Sequence, residues 1–113
     1  MKTHIYKKFN FEAAHKLINN NSSANIKYSN IHGHSFQVEI YITDIIKNSE
    51  GWIEDFSKIE NILDPIRNEL DHNFLNDIEG LSNPTLENIA KWIWDKSIIK
   101  LPNISKVKVT RGN

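Results

Sequence analysis

The sequence predicts a single α+β domain. Two stretches near the N-terminus alternate apolar and polar residues, two in the middle space their apolar residues by three and four, and a last alternation closes the chain. Strands, then helices, then a strand give the α+β order. The 113 residues fit one core of the usual size, about 100–150 residues, and leave none for a second.

Each element rests on its own pattern. From Ile5 to Ala13, Ile5, the stem of Lys7, Phe9, Phe11 and Ala13 alternate with Tyr6, Lys8, Asn10 and Glu12, which makes a half-buried strand. Lys16–Asn30 contains an Asn-rich cluster and no sustained period, so it reads as a long loop, a feature that usually has a function in a small domain. His32 to Ile42 alternates again, with His32, His34, Phe36, Val38, Ile40 and Ile42 on one side. After a turn at Asn48–Gly51, the positions Phe56, Ile59, Ile62, Leu63, Ile66 and Leu70 mark a helix, with Pro65 expected to kink it or delay its start. Asn73–Pro84 is expected to be loop. Thr85 is a candidate N-cap for a second helix through about Ser97, with Leu86, Ile89, Ala90 and Ile93 as its apolar stripe. Ile104–Thr110 places Ser105, Val107 and Val109 opposite Lys106, Lys108 and Thr110 as the last strand.

Composition narrows the function. Fourteen basic residues balance fourteen acidic ones, so no charge excess exists to bind a phosphate backbone, and nucleic acid is not the expected partner. The chain has no cysteine. That excludes a disulfide scaffold, a thiolate metal site and a cysteine nucleophile. No apolar run approaches the ~18 residues of a membrane span and no signal-like segment opens the sequence, so the expected setting is cytoplasmic with no membrane contact. The 39% hydrophobic content builds a modest core and leaves apolar edges that oligomerisation would cover.

The chemistry concentrates in His32-Gly33-His34. Residues two apart on a strand point to one face, so both imidazoles can converge on one ion, and Gly33 leaves room beside them. If the first two strands pair antiparallel, His15 returns opposite this pair and supplies a third nitrogen with an open fourth position, the ligand set of a catalytic zinc. An isolated His-x-His is more often a surface or core coincidence. Asp71-His72 is a second candidate, because a carboxylate beside an imidazole fixes its tautomer and raises its basicity. It reads as well as a helix-ending Asp followed by a solvated histidine. Glu87 and Thr85 are accounted for by the helix dipole and the cap. Trp92 and Trp94, two apart on a helix, face different ways and suit packing.

Five blocks carry a resemblance: Phe11-Glu12-Ala13-Ala14-His15, His32-Gly33-His34-Ser35-Phe36, Gly51-Trp52-Ile53-Glu54-Asp55-Phe56, Leu70–Asp77 and Asn83-Pro84-Thr85-Leu86-Glu87-Asn88. In this order they resemble the 6-pyruvoyl-tetrahydropterin synthase family, and within it the bacterial 6-carboxy-tetrahydropterin synthases of queuosine biosynthesis. The resemblance implies a small antiparallel sheet with two helices on one face, the tunnelling fold. It implies trimers that close a β-barrel and stack into hexamers. It further implies zinc on His15, His32 and His34, a pterin-like small-molecule substrate, and a lyase reaction on dihydroneopterin triphosphate that releases triphosphate and acetaldehyde. Asp71 and His72 match the family's proton-relay pair.

Two positions depart from the family pattern. The family's catalytic cysteine stands four residues before the first histidine of the HGH motif, and Tyr28 holds that place here. A phenol titrates near ~10 and a thiol near ~8.5, so Tyr28 as a catalytic residue would shift the optimum to alkaline pH. In the last strand the family's pterin-anchoring glutamate is replaced by Val109. A valine cannot accept the paired N–H groups of a pterin, at a cost of about 1–3 kcal/mol for each donor left unpaired. A degenerate or repurposed zinc-binding member and a zinc hydrolase are the competing expectations.

Overall fold

A computed structural model describes residues 1–18, 29–46 and 50–112. Three strands, β1 (Lys2–His15), β2 (His32–Ile45) and β3 (Ile104–Arg111), form one antiparallel sheet in the order β1-β2-β3. Helices α1 (Phe56–Leu70) and α2 (Leu86–Ile98) lie between β2 and β3 in sequence, and they pack against β1 and β3 respectively. One short 3-10 turn, Leu75–Asp77, sits inside the segment expected to be loop.

Alternation governs which side of each strand is covered. Phe11, Ala13 and His15 of β1 are buried with Phe36, Val38 and Ile40 of β2, and the intervening residues look away from the helices. Onto this face α1 sets Ile59, Leu63, Ile66 and Leu70, and α2 sets Ile89, Trp92 and Ile93. Phe11 and Phe36 stack with ring centroids 4.8 Å apart, one pair of the β1/β2 register immediately beneath the histidines. Trp92 is buried with its indole N–H donating to Glu79 O at 3.1 Å, and Trp94 is half-buried against the same core.

Pro65 neither delays nor breaks α1. The helix starts at Phe56, capped by Asp55, whose carboxylate accepts the Ser57 N–H at 2.9 Å, and runs unbroken to Leu70. Pro65 and the residue four before it, Asn61, are both exposed, so water can satisfy the carbonyl that the missing N–H leaves without its partner. Thr85 caps α2 as expected, accepting the Asn88 N–H at 3.1 Å. β3 departs from strict alternation at its start. Ile104 pairs with Ile42 while Lys106 pairs with Tyr41, which leaves Ser105 as an extra residue in a bulge. Ile104 is therefore buried although it is three residues from Val107, and Ser105 turns its hydroxyl to Thr43 on the far side.

The two 14-residue strands outrun the helical layer. The molecule measures 57 × 26 × 25 Å with a radius of gyration of 16.1 Å, against about 13 Å for a compact chain of this length. Among the described residues, no helix is long and apolar enough to cross a membrane.

Candidate active site

His15 is the last residue of β1, His32 the first of β2, and the two are register partners. His34 lies two residues further on the same face, and the three ring centroids are 4.6, 4.9 and 5.3 Å apart. One nitrogen from each ring lies within 4.8 Å of the others. Tight antiparallel pairing alone brings this about, because residues 15 and 32 are opposed and 34 is in phase with 32.

Hydrogen bonds to the backbone orient two of the rings. His15 Nδ1 is 2.9 Å from Pro84 O and His32 Nδ1 is 2.8 Å from Asn30 O. A carbonyl can only accept, so each Nδ1 carries the proton and each Nε2 keeps its lone pair. His15 Nε2 is buried and has no hydrogen-bond partner, a costly arrangement unless something else takes the lone pair. Burial holds the His15 imidazole below its ordinary 6.5, and burial followed by the Arg111 charge does the same for His34. Three imidazoles brought together, two of them steadied through Nδ1 by a backbone carbonyl, are the donor chemistry that zinc takes. The three residues fit the ion.

Asp71 and His72 meet β1 on its outer edge. Asp71 ends α1, and its Oδ1 accepts the Glu12 N–H at 2.9 Å while Oδ2 lies 3.0 Å from His72 Nδ1. The Glu12 N–H is the main reason that the Asp71 carboxyl titrates below its ordinary 3.8, with His72 next. His72 adopts a left-handed conformation, φ 59°, and its N–H bonds Glu12 O while the following segment pairs with Ala14. Its side chain is 78% exposed. An open cleft of about 580 Å³ runs from His72 past Glu12 and Ser35 to His34. In this cleft Ser35 donates to the Glu12 carboxylate at 2.7–2.8 Å.

On the helix side a second cavity, about 230 Å³, is lined by His15, Leu17, Thr85, Leu86, Glu87 and Arg111. Arg111 reaches the histidine cluster, with Nη1 at 3.3 Å from His34 Nε2.

The family model for 6-pyruvoyl tetrahydropterin synthase matches residues 4–113. The chain belongs to this family. A 6-carboxy-5,6,7,8-tetrahydropterin synthase from Synechocystis sp. is 44% identical over 97 residues, covering 81% of this chain and 72% of the relative. A dihydroneopterin monophosphate aldolase from Pyrococcus furiosus is 36% identical over 108 residues, 96% of this chain and 86% of the relative. Among solved structures, the 6-pyruvoyl tetrahydropterin synthase of Caenorhabditis elegans superposes with a TM-score of 0.78 at 19% identity, covering 100% of this chain and 97% of that one. The three-stranded antiparallel sheet with two helices is thus the fold of the 6-pyruvoyl tetrahydropterin synthases.

Against the family pattern, the structure places the sequence candidates unevenly. His15, His32 and His34 converge, and Asp71 pairs with His72. Tyr28 lies outside the described residues. Val109 pairs with Val38 and packs against the core. Gly33 is not required by crowding within the chain, since a Cβ there would meet only Ala13 O at an ordinary 3.6 Å. Glu87 and Thr85, explained from sequence by the helix end alone, line the cavity beside His15. Arg111 escaped the sequence reading because the strand was expected to end at Thr110. Its odd position, in phase with Val107 and Val109, was the signal that it shares the face of the sheet on which the histidines converge.

Proposed function

We propose that this chain is a zinc-dependent lyase of the 6-carboxy-tetrahydropterin synthase type, acting on dihydroneopterin triphosphate in the queuosine branch of pterin metabolism in the cytoplasm. The observation that carries the reading is the convergence of His15, His32 and His34 with the Nδ1 atoms of His15 and His32 tied to backbone carbonyls. Zinc, when bound, supplies Lewis acidity toward the hydroxyls of the substrate side chain. Asp71 holds the His72 Nδ1 proton, which leaves Nε2 as the relay atom, and the cleft shared by His72 and His34 gives the substrate side chain a place between them. Tyr28 takes the position of the family's cysteine and acts as the acid or base there.

The elongated shape and the positions of β3 and of the N-terminal half of β1 at the two edges of the sheet support assembly into trimers that close a barrel, stacked as hexamers. A molecule 57 Å long and only 25–26 Å wide, with strands running past its helices, finds its missing cover in neighbouring copies.

A second reading is favoured by one specific feature: no thiol exists anywhere in the chain. A thiolate is suited to taking a proton from carbon, whereas aldol cleavage of the same side chain begins with proton removal from a hydroxyl, which a His–Asp pair serves. The aldolase relative also aligns with 96% of the chain. Incubating the zinc-loaded protein with dihydroneopterin triphosphate and, separately, the monophosphate decides between them. Acetaldehyde and triphosphate establish the lyase, a phosphorylated two-carbon aldehyde establishes the aldolase, and neither product establishes a repurposed member.

A further inference from the structure

Three positive charges would share a small volume if a divalent ion joined the histidines while Arg111 stayed where it is. Arg111 Nη1 donates to His34 Nε2 at 3.3 Å, because a guanidinium has no acceptor. His15 and His32 present Nε2 because their Nδ1 atoms are committed to carbonyls, and Nε2 of His34 is the atom that Arg111 covers. Among the described residues no carboxylate lies within ion-pair distance of Arg111, although Glu87 lines the same cavity. The guanidinium thus has five donors and one shared acceptor, which a metal would remove.

We propose that Arg111 and the metal compete for the Nε2 lone pair of His34, so that metal loading releases the guanidinium to hold a phosphate-type anion beside the ion. The inference rests on the zinc reading above, in which the substrate bears a phosphorylated side chain. Its chemistry is a linkage. An anion that engages Arg111 removes both its claim on the lone pair and part of its repulsion of the cation, so anion and metal each tighten the other by the same factor. A guanidinium suits phosphate because its planar fork donates two parallel hydrogen bonds.

Zinc affinity, measured by competition with a chromophoric chelator, reads this directly and needs no turnover. Methyl phosphate serves as the anion because it binds free zinc weakly. In the wild type it should tighten zinc several-fold. Arg111→Gln should bind zinc a few-fold to about tenfold more tightly without any anion, the scale of one exposed charge pair, and methyl phosphate should add nothing further. Arg111→Lys, which keeps the charge, should bind zinc less tightly than the Gln variant. Arg111 is exposed near the end of the described chain, and circular dichroism can verify that each variant is folded. Zinc affinity unchanged in Arg111→Gln overturns the competition. Equal tightening by phosphate in wild type and Gln variant shows the anion sitting on the metal itself and overturns Arg111 as its holder. A wild type that binds no zinc overturns the metal reading as well as the inference, and is told apart from the other outcomes at the first titration.

Discussion

The Nδ1–H of His15 donates to the carbonyl oxygen of Pro84, 69 residues away in sequence. One bond therefore joins the end of β1 to the residue that precedes the Thr85 cap of α2. It sets the tautomer of His15 and makes the geometry of the histidine cluster depend on the docking of the second helix.

Purified protein should contain about one zinc per chain, and His32→Ala should lose it. A ligand that binds only the native state also stabilises it, by about 2.7 kcal/mol at a hundred times its Kd. Calorimetric scans with and without chelator should show a higher Tm for the metal-loaded wild type and no difference for the variant. Metal analysis finding equal zinc in both would remove His32 from the site.

His72→Asn should abolish turnover while leaving unfolding free energy within about 0.5 kcal/mol of wild type. The left-handed backbone at position 72 is one that asparagine tolerates well, and the bonds from this segment to β1 come from the main chain. Urea titration and a product assay on the same sample check the separation. A stability loss matching the activity loss would make His72 structural.

The Asp71 carboxyl gives a pH signature. Its folded pKa is depressed, first by the Glu12 N–H and then by His72, so its contribution is present above its ordinary 3.8 and disappears as pH falls through the folded value. Urea midpoints between about pH 5 and about pH 2 should fall more steeply for wild type than for Asp71→Asn, whose amide oxygen still accepts the Glu12 N–H. Parallel profiles would show that the group does not titrate differently on folding.

Tyr28→Cys should raise lyase turnover at neutral pH, because a thiol titrating near ~8.5 yields far more anion there than a phenol near ~10. Tyr28→Phe should remove the turnover the wild type has. Equal rates for wild type and Tyr28→Phe take the phenol out of the mechanism, and no gain in Tyr28→Cys favours the aldolase or repurposed reading.

The sheet and the convergence of the three histidines were legible because a single period of two carries both. The alternation that buries Phe36 and Val38 also places His32 and His34 on the same face, and antiparallel pairing returns His15 to meet them. What the sequence hid depended on contacts far along the chain or on a break in the period. Glu12 meets Asp71 across 59 residues, and no local pattern announces a carboxylate that binds a strand edge. The bulge at Ser105 shifts the phase of β3, so the expected inward set missed Ile104. Pro65 leaves α1 unbroken because it and Asn61 are exposed to water, which periodicity alone does not reveal.

The order of the strands has a kinetic consequence. β1 and β2 are joined by residues 16–31, whereas β2 and β3 are joined by residues 46–103, and closing the longer connection costs about 1 kcal/mol more in chain entropy. The β1/β2 hairpin is therefore the favoured nucleus, and its loop-proximal end is the end that carries His15 and His32. The histidines would meet early in folding. The carbonyl of Pro84 reaches His15 only once the helices have settled, so the imidazoles gather first and the orientation of His15 is locked last.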